Sequence, residues 1–227
     1  MAEKNSLTRE TLIELIELVQ AVYKSDGRPW VIGYSGGKDS SAVLQLVWVA
    51  LSKLSKEELT KKIFIISSDT LVEAPAVVNR IAQSHEEINK AAKESDLPIE
   101  AHMVVPAIAD TFWSNIIGRG YPTPYTNFRW CTDRLKIQPT TDFIKNTVAQ
   151  YGEVVILLGA RRQESSSRAQ VMENRDDLGN RLSRHNDLPN AFVFTPIEDW
   201  SEQDVWTYLL NSKNPWGGDN KELKTMY

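Results

Sequence analysis

Cysteine is nearly absent. Cys131 is the sole example in 227 residues, which excludes an intrachain disulfide framework and any zinc or iron-sulfur site built entirely from cysteines of this chain. Long apolar runs are missing as well: charged or polar residues interrupt every candidate well short of the roughly 20 residues that cross a bilayer. A soluble protein with no membrane partner is expected. The chain does not open on a basic stretch followed by an apolar core. Met1-Ala2-Glu3-Lys4-Asn5-Ser6 leads instead into an acidic amphipathic segment, so no secretion signal is expected and the reading is cytoplasmic. Positive charge is not in excess either, with 26 Lys and Arg against 30 Asp and Glu. That balance argues against a protein that coats nucleic acid, while local basic patches stay open. His85, His102 and His185 lack the spacing of a zinc site, and no Ser-His-Asp order can be argued. There is no internal repeat, low-complexity tract or interdomain linker, so residues 1–227 read as one domain. What the chain has is core material, 41% apolar residues and seven Trp, ample for a packed interior.

Leu12, Leu15, Ile16, Val19, Val22 and Tyr23 recur at helical spacing and predict a helix over about 8–24, stopped by Ser25-Asp26-Gly27-Arg28-Pro29. Five apolar, β-rich runs follow: Trp30 to Tyr34, Ile63 to Ile66, Ile99 to Val105, Val154 to Leu158 and Ala191 to Phe194. Helical patterns separate them, one through Leu54, one reaching about Ser95 and one from near Pro139 to a stopping Gly152. Ser201-Glu202-Gln203-Asp204 opens a final helix with an acidic first turn. Strands alternating with helices predict an α/β fold, a mostly parallel five-stranded sheet with helices on both faces and ligands beyond the carboxyl ends of the strands. The polar region from Glu164 to Pro189 reads as a mobile surface excursion.

The chemistry gathers at that carboxyl edge. Tyr34-Ser35-Gly36-Gly37-Lys38-Asp39-Ser40 joins the first strand to its helix. It is not a Walker A loop, because Asp39 rather than a hydroxyl residue follows the lysine, and it does not fit G-x-G-x-x-G. Gly36 and Gly37 allow close backbone approach, the amides at the helix start point at an anion, Ser35 and Ser40 can donate hydroxyls and Lys38 adds charge. The bland alternative is a tight turn that happens to contain Gly-Gly. Asp39 and Asp69 are candidate magnesium partners, with Glu73 and Glu164 farther options. Asp39 serves equally well as a helix cap, and Asp69 with Thr70 as a support for adenosine. Arg161 and Arg162, just past a strand end, offer cationic forks for phosphate, whereas Arg175, Arg181 and Arg184 suit ordinary ion pairs. Cys131 is either a small buried apolar residue or, amid Arg129, Arg134 and Lys136, a stabilised thiolate. Trp130, Tyr121 and Tyr125, interleaved with Arg119 and Arg129, either stack on a base or pin their loop.

Ser35-Gly36-Gly37-Lys38-Asp39-Ser40 resembles the signature of the PP-loop ATP pyrophosphatase superfamily. Ser68-Asp69-Thr70 is similar to its second nucleotide motif. Gly159-Ala160-Arg161-Arg162-Gln163-Glu164-Ser165 with Arg168 resembles the GARR-x-E-x-x-x-R segment shared with the sulfate adenylyltransferase small subunit and the sulfonucleotide reductases. Thr195-Pro196-Ile197-Glu198-Asp199-Trp200 followed by Asp204-Val205-Trp206 matches their carboxyl-terminal pattern. The stretch from Arg129 through Trp130-Cys131-Thr132 to Pro139 is similar to the DndC-type sulfurtransferases of DNA phosphorothioation. The resemblance spans about residues 28–216.

That resemblance implies an adenine nucleotide alpha hydrolase-like, Rossmann-like fold. It implies ATP and magnesium held by Tyr34 to Ser40, Ser68, Asp69, Thr70, Gly159, Arg161 and Arg168, with Lys38, Asp39, Arg161 and Arg162 in catalysis. The activity implied is adenylylation of a DNA backbone oxygen with release of pyrophosphate, before sulfur replaces AMP. Partners implied are DNA, a cysteine desulfurase as sulfur donor and other phosphorothioation subunits. In the DndC-type proteins the cysteine matching Cys131 joins three downstream cysteines around a 4Fe-4S cluster, so a cluster here requires a natural protein that continues past Tyr227. The alternatives are a sulfate adenylyltransferase small subunit-like or sulfonucleotide reductase-like enzyme, or a nucleotide-binding docking module.

Overall fold

The computed structural model describes residues 7–164 and 182–225. Six strands, β1 (Trp30–Gly33), β2 (Ile63–Ser68), β3 (Ile99–Val104), β4 (Val154–Leu157), β5 (Leu182–Arg184) and β6 (Ala191–Phe194), form one sheet in the order β3-β2-β1-β4-β6-β5. The five expected strands make its parallel part, and β5 is added antiparallel beside β6. The sixth strand lies inside the stretch 164–189 expected to be an excursion; three residues are too few to show a period of two, so only the pairing of Leu182 with Phe194 reveals it. The rest of that stretch, Arg168 included, falls largely outside the described residues.

The helices are α1 (Arg9–Lys24), α2 (Lys38–Leu51), α3 (Pro75–Glu94), α4 (Gln138–Tyr151), α5 (Glu202–Asn211) and α6 (Asn220–Lys224). Thr8 and Thr11 close a capping box on α1, and Ser201 and Asp204 close another on α5, each satisfying amides that a helix start leaves orphaned. The expected last helix, α5, is followed by α6. Pro139 reads in the sequence as a helix start because it has no N–H. Instead the helical path is already under way at Trp130–Thr132 and widens to a π turn over Asp133–Ile137 just before the proline. A π turn of this kind accommodates the missing donor without breaking the helix. Gly152, at φ 86°, ends α4 as expected.

Strand alternation divides the core. Trp30 and Ile32 of β1 face α1, α2, α3, α5 and α6, while Val31 faces the other side with Phe64, Ile156 and Ile144 of α4. Helices therefore cover both faces, but unequally. Helix α2 is sandwiched between the sheet and α1 and α5, so Val43, Leu44, Leu46, Val47 and Leu51 are all fully buried; each such side chain contributes about 1.5–3 kcal/mol relative to exposure. Asn220 ties α6 to α2, exchanging two hydrogen bonds with Gln45 at 2.7 and 3.0 Å. Among the described residues no helix is long and apolar enough to cross a membrane.

At the sheet edge opposite the candidate site, Lys61 is buried against the rings of Tyr23 and Trp30 and bonds Asp26 at 3.0 Å. Burial alone would raise the Asp26 pKa, but hydrogen bonds from Arg28 and Lys61 outweigh it and hold it at about 2. A carboxylate depressed in the fold contributes stability above its unfolded pKa and loses that contribution as pH falls through the folded value. Lys61→Ala is expected to cost about 1–3 kcal/mol in urea unfolding at neutral pH, because Asp26 keeps its bonds from Arg28. The stability gap between the natural chain and Asp26→Asn should close as pH falls from about 4 toward 2; a gap independent of pH would contradict this.

Candidate nucleotide site

Sheet order reverses between β1 and β4, and the crevice beyond such a switch point is where open parallel sheets receive ligands. Tyr34 N–H bonds Ile66 C=O at 2.8 Å as the chain leaves β1. Gly36 then takes φ +69°, a conformation that side chains disfavour. The loop is knit by its own hydroxyls. Ser40 Oγ accepts the Ser35 N–H at 3.2 Å and donates to the Gly37 C=O at 3.0 Å, and Ser35 Oγ accepts the Gly37 N–H at 3.4 Å. The Ser40 proton, expected to face a ligand, thus shapes the loop instead. Ser41 N–H bonds Gly37 C=O, so the amides of Asp39 and Ser40 precede the helical ladder, the part of a helix that attracts anions.

The loop after β4 presses directly on this turn. A Cβ on Gly159 would lie 2.8 Å from the Asp39 carbonyl carbon and 3.0 Å from Ser40 N. Two residues on, Arg161 is buried and its Nε donates to Asp39 Oδ1 at 2.7 Å, while Lys38 Nζ lies 3.1 Å from Asp39 Oδ2 and 3.9 Å from Glu202 Oε1. Asp39 is therefore not a cap: Gly37 holds the N-cap position, and both Asp39 oxygens face cations. Arg162 turns away to Glu198 at 3.3 Å and Asp199 at 3.2 Å. Glu164 Oε2 accepts the Arg161 N–H.

Beside the loop, beyond β1 and β2, opens a cleft of about 330 Å³. Ile66, Val77 and Ile81 make it apolar, Ser68 and Thr140 add hydroxyls 3.2 Å apart, and a 3.0 Å ion pair of Glu73 with Lys136 stands among its lining residues. Ser68 lines this cleft. Asp69 accepts the Leu71 N–H at 2.8 Å, holding a turn in which Leu71 takes φ 62°. Thr70 is buried, and its hydroxyl has no hydrogen-bond partner among the described residues. Val77, Ile81, Lys136 and Thr140 were not legible as lining residues, since each sits in a helical segment whose local pattern carries no sign of the cleft.

Other expectations change. Of the cations around Cys131, Arg134 bonds Asp110 at 2.6 Å and Lys136 bonds Glu73, so both serve carboxylates. Among the described residues no three His, Cys, Asp or Glu side chains converge as metal donors. Cys131 alone does not fit an iron-sulfur cluster. Trp130 is buried, donates to Pro122 C=O at 3.0 Å and stacks on Phe112, with Tyr121 against its edge; these two rings pin the loop, while Tyr125 is exposed. His185 Nδ1 accepts two backbone amides, His102 lies 3.6 Å from Glu100, and Arg184 lies over the Phe192 ring.

The phosphoadenosine phosphosulfate reductase domain matches residues 29–216. The chain belongs to that family. This PAPS reductase domain, of the PP-loop ATP pyrophosphatase superfamily, is 27% identical over 204 residues to an uncharacterized protein of Methanocaldococcus jannaschii, covering 88% of this chain and 35% of that one. It is 35% identical over 60 residues to adenosine 5'-phosphosulfate reductase of Neisseria meningitidis, covering 26% of this chain and 21% of that one. The chain thus spans 35% or less of the length of these curated relatives. The PAPS reductase from Candida auris, in a phosphate complex, superposes with a TM-score of 0.54 at 15% identity, covering 98% of this chain and 94% of that one. The U34-tRNA thiolase of Methanococcus maripaludis, with its 4Fe-4S cluster, does so with a TM-score of 0.53 at 14% identity, covering 98% and 74%. At such identities the likeness shows the fold.

The contact at Gly159 yields a prediction for this PAPS reductase domain. Gly159→Ala should destabilise the chain by about 1–3 kcal/mol through overpacking, read as a lower midpoint of urea unfolding. Gly118→Ala, with nothing within 4 Å of its Cβ, serves as the control. Equal behaviour of the two variants would refute the contact's role.

Proposed function

We propose that this chain is the ATP pyrophosphatase, or adenylylating, component of a sulfurtransferase that inserts sulfur into the DNA backbone. The observation that carries the ATP reading is the Lys38–Asp39–Arg161 cluster seated on a positive-φ glycine loop at the switch of the sheet. The DNA reading rests on the likeness of the segment from Arg129 to Pro139, which here runs straight into the wall of the cleft through Lys136 and Thr140.

In this reading adenine enters the apolar cleft and the β and γ phosphates meet the loop. Asp39 then exchanges its hold on Lys38 and Arg161 for theirs on phosphate, because a phosphate oxygen is an equally good acceptor for both cations. An oxygen of the DNA phosphate attacks the α-phosphorus, the bond to the bridging oxygen breaks, and pyrophosphate departs with the electron pair. Lys38, Arg161 and the loop amides face the charge that develops there, and fixed donors of this kind lower the barrier without rearranging during reaction. Magnesium, if carried in with ATP, offsets phosphate charge; Asp69, paired with no cation among the described ion pairs, suits it better than Asp39. Arg162, held by Glu198 and Asp199, is left a supporting role beside Arg161.

The family match favours a second reading, in which sulfate takes the place of DNA as the acceptor, or a sulfonucleotide is itself the substrate and no pyrophosphate forms. Pyrophosphate release separates them. It is expected to rise with added DNA, to ignore sulfate and to fall by about 100-fold or more in Lys38→Ala. Release that depends on sulfate would establish the second reading. ATP binding without turnover, unaltered by Lys38→Ala, would leave a docking module.

A further inference from the structure

We propose that His85 is a positioning residue for the phosphate loop: its ring N–H, acting through the Ser67 hydroxyl, fixes the Tyr34 carbonyl and so sets where the loop leaves the sheet. The inference rests on the nucleotide reading of that loop and deepens it.

Three groups are linked through one hydroxyl. Ser67 Oγ bonds the backbone carbonyl of Tyr34, and His85 Nε2 lies 2.7 Å from the same Oγ. A carbonyl can only accept, so the single hydroxyl proton of Ser67 must lie toward Tyr34. Ser67 Oγ is then an acceptor for the ring, and Nε2 must carry the hydrogen. The tautomer follows from the bonds rather than from choice. Ser67 and His85 are both buried. Burial, with a smaller push from His102, lowers the His85 pKa to about 4, so the ring is neutral at ordinary pH.

The position gives this relay its consequence. Tyr34 N–H is still bonded to β2, but the next amide, Ser35 N–H, turns to Ser40. The Tyr34 peptide is therefore where the backbone peels from the sheet, and its carbonyl takes a side-chain donor there. Helix α3 reaches the loop a second time one turn before His85, where Ile81 Cγ1 lies 3.6 Å from the Cβ position of Gly36. The placement of α3 is thus transmitted to the loop at Tyr34 and at Gly36. An apolar side chain would fill the His85 site without the cost of burying an imidazole, so the donated hydrogen bond is what the histidine adds.

Nitrogen-detected NMR of the intact chain should show His85 neutral and protonated at Nε2. His85→Leu and Ser67→Ala should each raise KM for ATP by about tenfold, the worth of one lost buried hydrogen bond, with kcat changed less. His85→Gln, whose amide can donate to Ser67, should recover most of the loss. An Nδ1–H tautomer, or an unchanged KM in His85→Leu, would overturn the proposal, as would equal damage in the Gln and Leu variants. If neither variant folds, the tautomer in the natural chain decides. A natural chain that binds no ATP yet shows the Nε2–H tautomer would instead overturn the nucleotide reading, and this role with it.

Discussion

Backbone pressed against backbone at Gly159 and Asp39 is the constraint on which the rest of the site depends. The two strands that flank the switch of the sheet send out loops that meet there without an intervening side chain. That approach lets Arg161 reach Asp39 from 122 residues away in sequence. It also brings the cation of one loop within reach of whatever the other holds. A single methyl group at residue 159 would push the loops apart, because neither the Asp39 carbonyl nor the Ser40 amide is a flexible side-chain end.

Charge at the site is handled by pairing. Lys38 and Arg161 share Asp39, Arg162 is held by Glu198 and Asp199, Lys136 by Glu73 and Arg134 by Asp110. Cations this close repel one another, and the carboxylates interposed among them hold them in place. The mild overall acidity of the chain is compatible with such a site, since the positive groups are local and already compensated. An anionic ligand here competes with carboxylates rather than entering an open positive field, which favours ligands carrying several phosphate oxygens over those carrying one.

Much of this organisation was legible from local pattern. The five parallel strands, α1 and its start near Thr8, the end of α4 at Gly152 and the glycine turn between β1 and α2 each depend on neighbours in sequence, where periodicity, capping residues and glycine act over one or two turns. Features that depend on contact across the chain were not. The strand β5 is too short to carry a period, the π turn before Pro139 looks like a break, and the partners of Arg134 and Lys136 come from distant segments. Trp130 and Tyr121 looked equally suited to stacking on a base and to pinning a loop; only the Pro122 carbonyl and the Phe112 ring decide between these.

By itself the amino-acid order determined the α/β class, the glycine turn after the first strand and the family to which the chain belongs, because those are written in residue types at fixed short spacings. The tertiary structure alone decided that Asp39 bridges two cations instead of capping a helix, that Ser40 spends its proton within the loop and that His85 reaches Tyr34 through Ser67. Each of these is a choice among hydrogen-bond partners, and a side chain's partner is set by what the packed chain brings within about 3 Å of it, a distance that sequence separation does not encode.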